Sequence, residues 1–325
     1  MKKILAIVSL IFAFASTSAI ANDYKCDKKF IFFPGGPEGG PFGTIVYNGA
    51  VAAAEHTGCD VDYYWSQWNS EIMIKQFKEA VALQPDGIAI YGFPGDAAMR
   101  PIINEAIKKG IVITTMNTPL PDLEAELKTT GFGYAGADLF DAGFNLGKKG
   151  VEVCGLKAGD KAFIWGLASM PNRGERTKGA IAGVESMGVK VVYQEIPDNV
   201  NSDASQGTPM YVATYAANPD IKMAITDHGG LTASLPTYMK AAGHGTEAVC
   251  GAGFDLSGPI VDGINSGYID VVIDQQPFIQ GYMPIVQLYL STKFGMAGLA
   301  MDTGAAFVTK ANIDAIAPLA AQQIR

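Results

Sequence analysis

Two glycine-rich segments of the 325-residue sequence could do phosphate or dinucleotide chemistry. Residues 34–41, Pro-Gly-Gly-Pro-Glu-Gly-Gly-Pro, follow the first predicted strand. They do not match G-x-G-x-x-G, and their three prolines lack the free N–H groups that a phosphate needs. Residues 243–248 match G-x-G-x-x-A in form but precede a strand, so we interpret the match as chance. Because P-loop and G-x-S-x-G patterns are also absent, we expect a protein that is not an enzyme.

The cysteines and histidines do not have the spacing of a metal site. None of the four cysteines lies in a C-x-x-C pair, and there are three histidines, so we predict no metal and no cofactor. Cys26 and Cys59 precede the first and second predicted strands, and adjacent parallel strands would bring them together as a disulfide. For Cys154 and Cys250 a disulfide and two buried free thiols are both open.

The N-terminus has the pattern of a signal peptide. Two lysines precede an apolar run at residues 4–14, and Ala19-Ile20-Ala21 is a cleavage signal, so we predict export to the periplasm with cleavage after Ala21. Removing residues 1–21 leaves 22 basic against 32 acidic residues, which argues against nucleic acid or an anionic membrane surface as partner. No later segment reaches the roughly 18 apolar residues of a membrane span, so we predict no membrane insertion.

Short β-rich runs alternate with amphipathic helical segments along the rest of the chain. We predict strands at residues 30–33, 61–65, 87–91 and 111–115, then 162–165, 189–194, 222–226, 248–253 and 269–273. Residues 84–90 and 218–225 are similar in sequence: each has a proline that ends a helix and an aspartate that begins a turn. The alternation predicts an α/β protein of two similar doubly wound parallel-sheet domains, which would bind a ligand between the carboxyl ends of their strands.

Five segments carry a resemblance to a known family. The chain resembles the periplasmic sugar-binding proteins of ABC transporters, of the ribose- and galactose-binding type, over nearly its whole length after residue 21. The matching segments are Pro41-Phe42, Ile-Thr-Thr-Met-Asn at 113–117, Gly-Glu-Arg-Thr-Lys-Gly at 174–179, Gly-Phe-Asp at 253–255 and Ile-Asp-Gln-Gln-Pro at 273–277.

The resemblance implies a set of ligand contacts. Carboxylate and amide groups would bind sugar hydroxyls, a guanidinium would donate to them, and an aromatic ring would stack on the sugar's C–H face. Where the family segment has a first arginine this chain has Gly174, so Arg176 acts alone or Arg173 substitutes. The predicted ligand-binding residues are Phe42, Tyr91, Asn117, Arg176, Asp227, His228, Asp255 and Gln275, with Trp68 and Trp165 as further candidates for the ring.

The resemblance also implies an organisation and a function. The lobes would comprise residues 22–135 with 277–304 and residues 136–276 with 305–325, joined by hinge segments near 133–136, 275–277 and 302–307. The expected function is capture of a monosaccharide, with a pyranose aldose as first choice, by a monomer that delivers it to an ABC permease. Presentation of the ligand to a chemoreceptor or histidine kinase, and binding of a furanosyl autoinducer-type molecule, are the alternatives.

Overall fold

A computed structural model describes residues 24–325, so the predicted signal peptide lies outside the described residues. The strands are β1 (Lys29–Phe32), β2 (Asp60–Tyr63), β3 (Gly87–Tyr91), β4 (Val112–Met116), β5 (Gly133–Gly136), β6 (Lys161–Gly166), β7 (Lys190–Glu195), β8 (Ile221–Thr226), β9 (Cys250–Phe254), β10 (Val271–Asp274), β11 (Ala300–Asp302) and β12 (Ala306–Thr309). The helices are α1 (Pro41–Thr57), α2 (Ser70–Ala82), α3 (Asp96–Lys108), α4 (Pro121–Leu127), α5 (Leu139–Val153), α6 (Glu175–Ser186), α7 (Asp198–Ser202), α8 (Thr208–Ala217), α9 (Gly229–Ala241), α10 (Gly258–Asn265), α11 (Pro277–Phe294) and α12 (Ile313–Ala321).

Two six-stranded sheets share one strand order. The first runs β11-β5-β4-β3-β1-β2 and the second β12-β10-β9-β8-β6-β7, and every pairing is parallel except that of β10 with β12. In the first sheet β1 lies between β2 and β3, and in the second β6 lies between β7 and β8. The direction of winding therefore reverses at β1 and at β6. A doubly wound sheet opens a crevice at such a point. The predicted fold class is confirmed.

The nine predicted strands are present with bounds that differ by at most two residues, whereas β5, β11 and β12 were not predicted as strands. The first helix begins at Pro41, because proline fits the first turn, where its missing N–H has no intrahelical partner. Asp96, whose residue type favours the N-cap position, is the first residue of α3, and Gly95 is the N-cap. The Asp96 side chain instead accepts hydrogen bonds from Leu123 N and Asn172 Nδ2.

The chain passes between the sheets three times. The connections are residues 137–138 between β5 and α5, residues 275–276 between β10 and α11, and residues 303–305 between β11 and β12. Residues 133–136 are thus strand β5 itself, and the connection follows them. The lobe boundaries and the hinge motion stay a prediction.

Glycines allow α5 and α6 to pack at backbone distance. A Cβ on Gly143 of α5 would overlap the carbonyl oxygen of Arg176, and one on Gly179 of α6 would overlap the carbonyl oxygen of Phe140. Close approach of two helices requires small residues at such contacts, because any side chain holds the backbones apart. The packing therefore fixes the first turn of α6, which carries Arg176.

Both pairs of cysteines form disulfides. Cys26 is bonded to Cys59 and Cys154 to Cys250, and these bonds close loops with sequence separations of 33 and 96 residues. The expected first disulfide is confirmed, and of the two alternatives for the second pair the structure has the disulfide.

Candidate functional site

The carboxyl edges of the two sheets face each other and touch through their loops. Asn172, in the loop after β6, donates from Nδ2 to Asp96 Oδ2 (2.9 Å) and to Pro119 O (3.1 Å) on the side of the first sheet. Pro171 lies so close to Gly95 that a Cβ on Gly95 would be 3.0 Å from it. The loops that follow β3, β4 and β6 therefore enclose the crevice between the sheets.

Asp227 organises the wall of this crevice on the second sheet. Its carboxylate pairs with Arg173 at 2.6 Å and accepts from Thr177 Oγ1 at 3.0 Å. Its backbone carbonyl accepts from Arg173 Nη2 (3.2 Å) and from Arg176 Nη1 (3.1 Å). One residue at the end of β8 thus holds two guanidinium groups side by side, and Arg176 also lies over the Phe254 ring at 4.4 Å.

Gln275 joins the charged residues of the second sheet to the end of β4 in the first. Its Oε1 accepts from Arg176 Nη2 and from Asn117 Nδ2, and its Nε2 donates to Asp255 Oδ1. Asp255 Oδ2 accepts from the backbone N–H of Gly229, the first residue of α9, at 2.7 Å. The polar residues predicted at the ends of β4, β9 and β10 therefore meet in one network.

Several nitrogen atoms on this wall have no hydrogen-bond partner in the described structure. They are Arg173 Nη1, Arg176 Nε and His228 Nε2, and all three atoms are buried. Arg173 is 8% exposed and Arg176 1% exposed, so neither guanidinium is solvated as a surface arginine would be. A buried N–H group without a partner costs about 1–3 kcal/mol, and a ligand oxygen would remove that cost.

Burial dominates the electrostatics of the site. It lowers the pKa of Arg176 to about 10, with the charge of Arg173 adding to the effect, and lowers the pKa of His228 to about 4. It raises the pKa of Asp255, against the opposing charge of Arg176. Groups desolvated in this way gain most from ligand hydroxyls, which can donate to a carboxylate and accept from a guanidinium.

Left-handed backbone conformations concentrate around the crevice. Asn117, Asp255 and Gln276 have φ of 58°, 76° and 55°, and Trp68 and Asn172 both have φ of 53°. Such values are uncommon for residues other than glycine, and strained residues of this kind cluster at ligand sites. The conformation directs the side chains that follow β4 and β9 toward the network.

The aromatic candidates have different surroundings. Trp68 is exposed at 37%, and Phe42 is half-buried beside it at 6.1 Å between ring centroids. Tyr91 is wholly buried under Trp68 and donates its hydroxyl to Pro34 O, so its ring offers no open face. Trp165 is also wholly buried and packs on Tyr238 in the core of the second sheet, so its ring has no open face on which a ligand could stack.

His228 lies at the N-cap position of α9, beside Asp227. Its ring is close enough to Gly230 that a Cβ there would be 3.3 Å from it.

Of the eight predicted ligand-binding residues, five (Asn117, Arg176, Asp227, Asp255 and Gln275) form the connected network described above. His228 adjoins the network, and Phe42 and Tyr91 belong to the aromatic group on the first sheet.

Three polar residues of the site were not predicted from the sequence. Gln280 accepts from Asn117 Nδ2 at 3.1 Å and donates to Gln275 O and to Thr303 Oγ1, both at 2.9 Å. Asn172 bridges the two sheets, as described above. Gln280 lies on the buried face of α11 and Thr303 in a connection between the sheets, and neither position has a distinctive sequence pattern. Asn172 follows a proline, which is a sequence signal of a turn.

Two further features of residues 24–325 bear on function. No helix there combines the length and the apolar character of a membrane span. Within the same residues, no group of three or more His, Cys, Asp or Glu side chains is arranged to hold a metal ion.

Comparison with known proteins gives relatives of the same fold. The Xylose/arabinose-binding protein XylF of Sulfolobus acidocaldarius is 23% identical over 271 residues, which are 78% of this chain but only 65% of that protein. A carbohydrate transporter of Acidothermus cellulolyticus 11B, solved with myo-inositol, superposes with a TM-score of 0.78 at 24% identity, covering 92% of this chain and 99% of that one. A solute-binding protein of Burkholderia graminis C4D1M, solved with D-arabinose, gives a TM-score of 0.78 at 22% identity, covering 90% and 98%.

A match to a family model covers most of the chain. The model described as "Periplasmic binding protein domain" matches residues 31–293, which include both sheets' crevice-forming loops and every residue of the network. Membership of the family that this model describes implies an extracytoplasmic location. The chain belongs to the periplasmic binding protein family.

Proposed function

We propose that this protein captures a monosaccharide or a similar cyclic polyol between its two sheets and delivers it to an ABC transporter permease. The observation that carries the proposal is the arrangement of Arg176, Gln275 and Asp255. A guanidinium, an amide and a carboxylate meet there in one buried network, and Arg176 Nε is left without a protein partner. Hydroxyl groups, which both donate and accept, complement such a set.

The charge of the crevice favours a neutral ligand. Arg173 and Arg176 are balanced by Asp227 and Asp255, and the pairing of Arg173 with Asp227 is direct. A net anionic or cationic ligand would leave an uncompensated charge in a desolvated site, which costs several kcal/mol. The relatives also support a neutral ligand. One is named a xylose/arabinose-binding protein, and two others were solved with myo-inositol and with D-arabinose.

We propose binding and release without chemical change, in the periplasm, by a monomer. The predicted signal peptide and the family support this location, and the absence of a catalytic motif from the sequence supports binding alone. A ligand recovered unchanged after incubation and dialysis is the expected result. Conversion of the ligand to a product would overturn this part of the proposal.

A thermal-shift screen tests the ligand class. The purified protein is heated with monosaccharides, cyclitols, open-chain polyols, amino acids and small carboxylates, each in large excess. A ligand at a hundred times its dissociation constant stabilises the folded state by about 2.7 kcal/mol, which is a shift of several degrees. A shift with amino acids or carboxylates and none with any sugar or cyclitol would contradict the proposal.

A further inference from the structure

Asp274 is a charged residue in a wholly buried position at the end of β10. Its Oδ1 accepts a hydrogen bond from the backbone N–H of Gln276 at 2.8 Å, and its Oδ2 accepts from Arg325 Nε at 2.5 Å. A buried carboxylate is unfavourable unless a counter-charge and hydrogen bonds satisfy it. Arg325 supplies that counter-charge from 51 residues further along the sequence.

The hydrogen bond between Gln276 and Asp274 encloses Gln275, the residue that joins the two sides of the polar network. An aspartate that accepts from the N–H two residues further on forms an Asx turn, which restrains the backbone of the residue between them. The turn leads into Gln276, whose backbone is left-handed with φ of 55°. The direction of the Gln275 side chain, toward Arg176 and Asp255, therefore depends on the Asp274 carboxylate.

Arg325 belongs to a segment that contacts both sides of the molecule. Residues 322–325, which we call the strap, follow α12, whose buried face packs in the core of the second sheet. Within the strap Gln323 has a left-handed φ of 54°, and its backbone carbonyl accepts from Asn48 Nδ2 of α1 at 3.4 Å. The strap thus joins α1, on the side of the first sheet, to the end of β10, next to the connection formed by residues 275–276.

We infer that Arg325 is a positioning residue for ligand binding, because it holds the Asp274 carboxylate in the turn that directs Gln275 into the network. The inference rests on the proposed function and deepens it, since it adds a residue outside the network that sets the affinity of the same site. Without the guanidinium the buried carboxylate must take up a proton, recruit water or turn toward another donor. Each of these changes weakens the hydrogen bond from the Gln276 N–H, so Gln275 is no longer held.

Titration calorimetry with D-arabinose, D-galactose and myo-inositol tests the inference on single variants. We expect Arg325→Met, which keeps an apolar stem but removes the charge, to weaken the compound that binds best by roughly 10-fold or more. Arg325→Lys keeps the charge and should bind within about threefold of the wild type, because the contact is a single charged hydrogen bond and not a bidentate pair. Lys310→Met is the matched control, since it also removes one positive charge but from a side chain that contacts Asn265, and it should leave affinity unchanged.

The variant Asp274→Asn separates positioning from general stabilisation of the fold. Asparagine keeps an acceptor for the Gln276 N–H but has no charge that needs Arg325, so we expect it to weaken binding less than about fivefold. In the Asp274→Asn background, Arg325→Met should change affinity by less than about twofold. A residue that merely stabilised the fold would weaken binding equally in both backgrounds. Urea unfolding of each variant confirms that it is folded under the conditions of the titration.

Hydrogen exchange at the Gln276 amide, measured by NMR, tests the turn without any ligand. We expect the amide to exchange about 10-fold faster or more in Arg325→Met than in the wild type, and at the wild-type rate in Lys310→Met. An unchanged exchange rate in Arg325→Met overturns the inference whether or not the protein binds sugars.

The binding results separate the inference from the function on which it rests. Wild-type affinity in a folded Arg325→Met protein overturns the inference and leaves the proposed function standing. The same applies if Arg325→Met loses equal affinity with Asp274 and with Asn at position 274. Failure of wild-type protein to bind any of the three compounds overturns both the proposed function and the role of Arg325 in it.

Discussion

Asn172 donates a hydrogen bond to Asp96 across the crevice, 2.9 Å from nitrogen to oxygen, and so links the loop after β6 to the first turn of α3. The same Asn172 nitrogen donates to Pro119 O. These bonds join the two sheets' loops directly, so they stabilise the arrangement in which the network residues are enclosed.

Removing the Asn172 side chain should therefore weaken ligand binding although Asn172 belongs to no part of the network. A net contribution of about 1 kcal/mol for each lost hydrogen bond predicts a 5- to 30-fold rise in the dissociation constant, mainly through faster release. The comparison of Asn172→Gly with Asn172→Ala separates this effect from backbone strain, because φ of 53° suits glycine and not alanine. Unchanged release rates in Asn172→Gly would show that the contact does not stabilise the enclosed arrangement.

The α5–α6 contact should be sensitive to a single methyl group. Gly143→Ala places a Cβ against the carbonyl oxygen of Arg176, so we expect the free energy of unfolding to fall by roughly 2–3 kcal/mol and Arg176 to shift. Gly258→Ala provides the control, because a Cβ there has open space. Denaturant unfolding measures both, and equal stability of the two variants would contradict the packing described here.

Reduction of the disulfides should destabilise the protein. Loop-closure entropy predicts a loss of about 4 kcal/mol for Cys26–Cys59 and about 5 kcal/mol for Cys154–Cys250. Chemical unfolding of two double variants, Cys26→Ala with Cys59→Ala and Cys154→Ala with Cys250→Ala, gives the contribution of each disulfide to the free energy of unfolding. Dithiothreitol is added at a concentration that frees four thiols. An unchanged midpoint of denaturant unfolding under these conditions would refute the prediction.

His228 should make the folded state less stable as the pH falls. The unfolded chain takes up this proton near pH 6.5, whereas burial lowers the folded-state pKa to about 4. Between these values the unfolded state binds more protons, so stability is lost as pH decreases, by about 2 kcal/mol between pH 7 and pH 5. His228→Gln should flatten the dependence of unfolding free energy on pH in that window, and an unchanged slope would contradict the burial of the ring.

The sequence predicted most of the strands because their signals are local. All five residues of β3 are apolar or glycine and wholly buried, and the predicted bounds of this strand match the structure. The meeting of Asn117, Asp255 and Gln275 was also predictable in outline, because each follows or ends a strand whose carboxyl end lies at the crevice. What these side chains bind there stays a proposal.

Other features depend on how distant segments approach and could not be predicted from local pattern. Tyr91 was expected to contact ligand, but packing of the β2–α2 loop over it buries the ring completely. The loop of residues 34–41 packs against Trp68, and a Cβ on Gly35 or Gly36 would overlap the indole. Asn172 bridges to Asp96 from 76 residues away in sequence, a contact set by the approach of the two sheets.

We expect the network of Arg176, Gln275 and Asp255 to bind the hydroxyl groups of the ligand. Titration calorimetry of the purified protein with D-arabinose, D-galactose and myo-inositol, repeated on Asp255→Ala and Asp255→Asn, tests it most directly. We predict a dissociation constant near micromolar for at least one ligand, about −8 kcal/mol, and a loss of at least 100-fold in both variants. Binding of the same ligand with equal affinity by wild type and both variants would contradict the account.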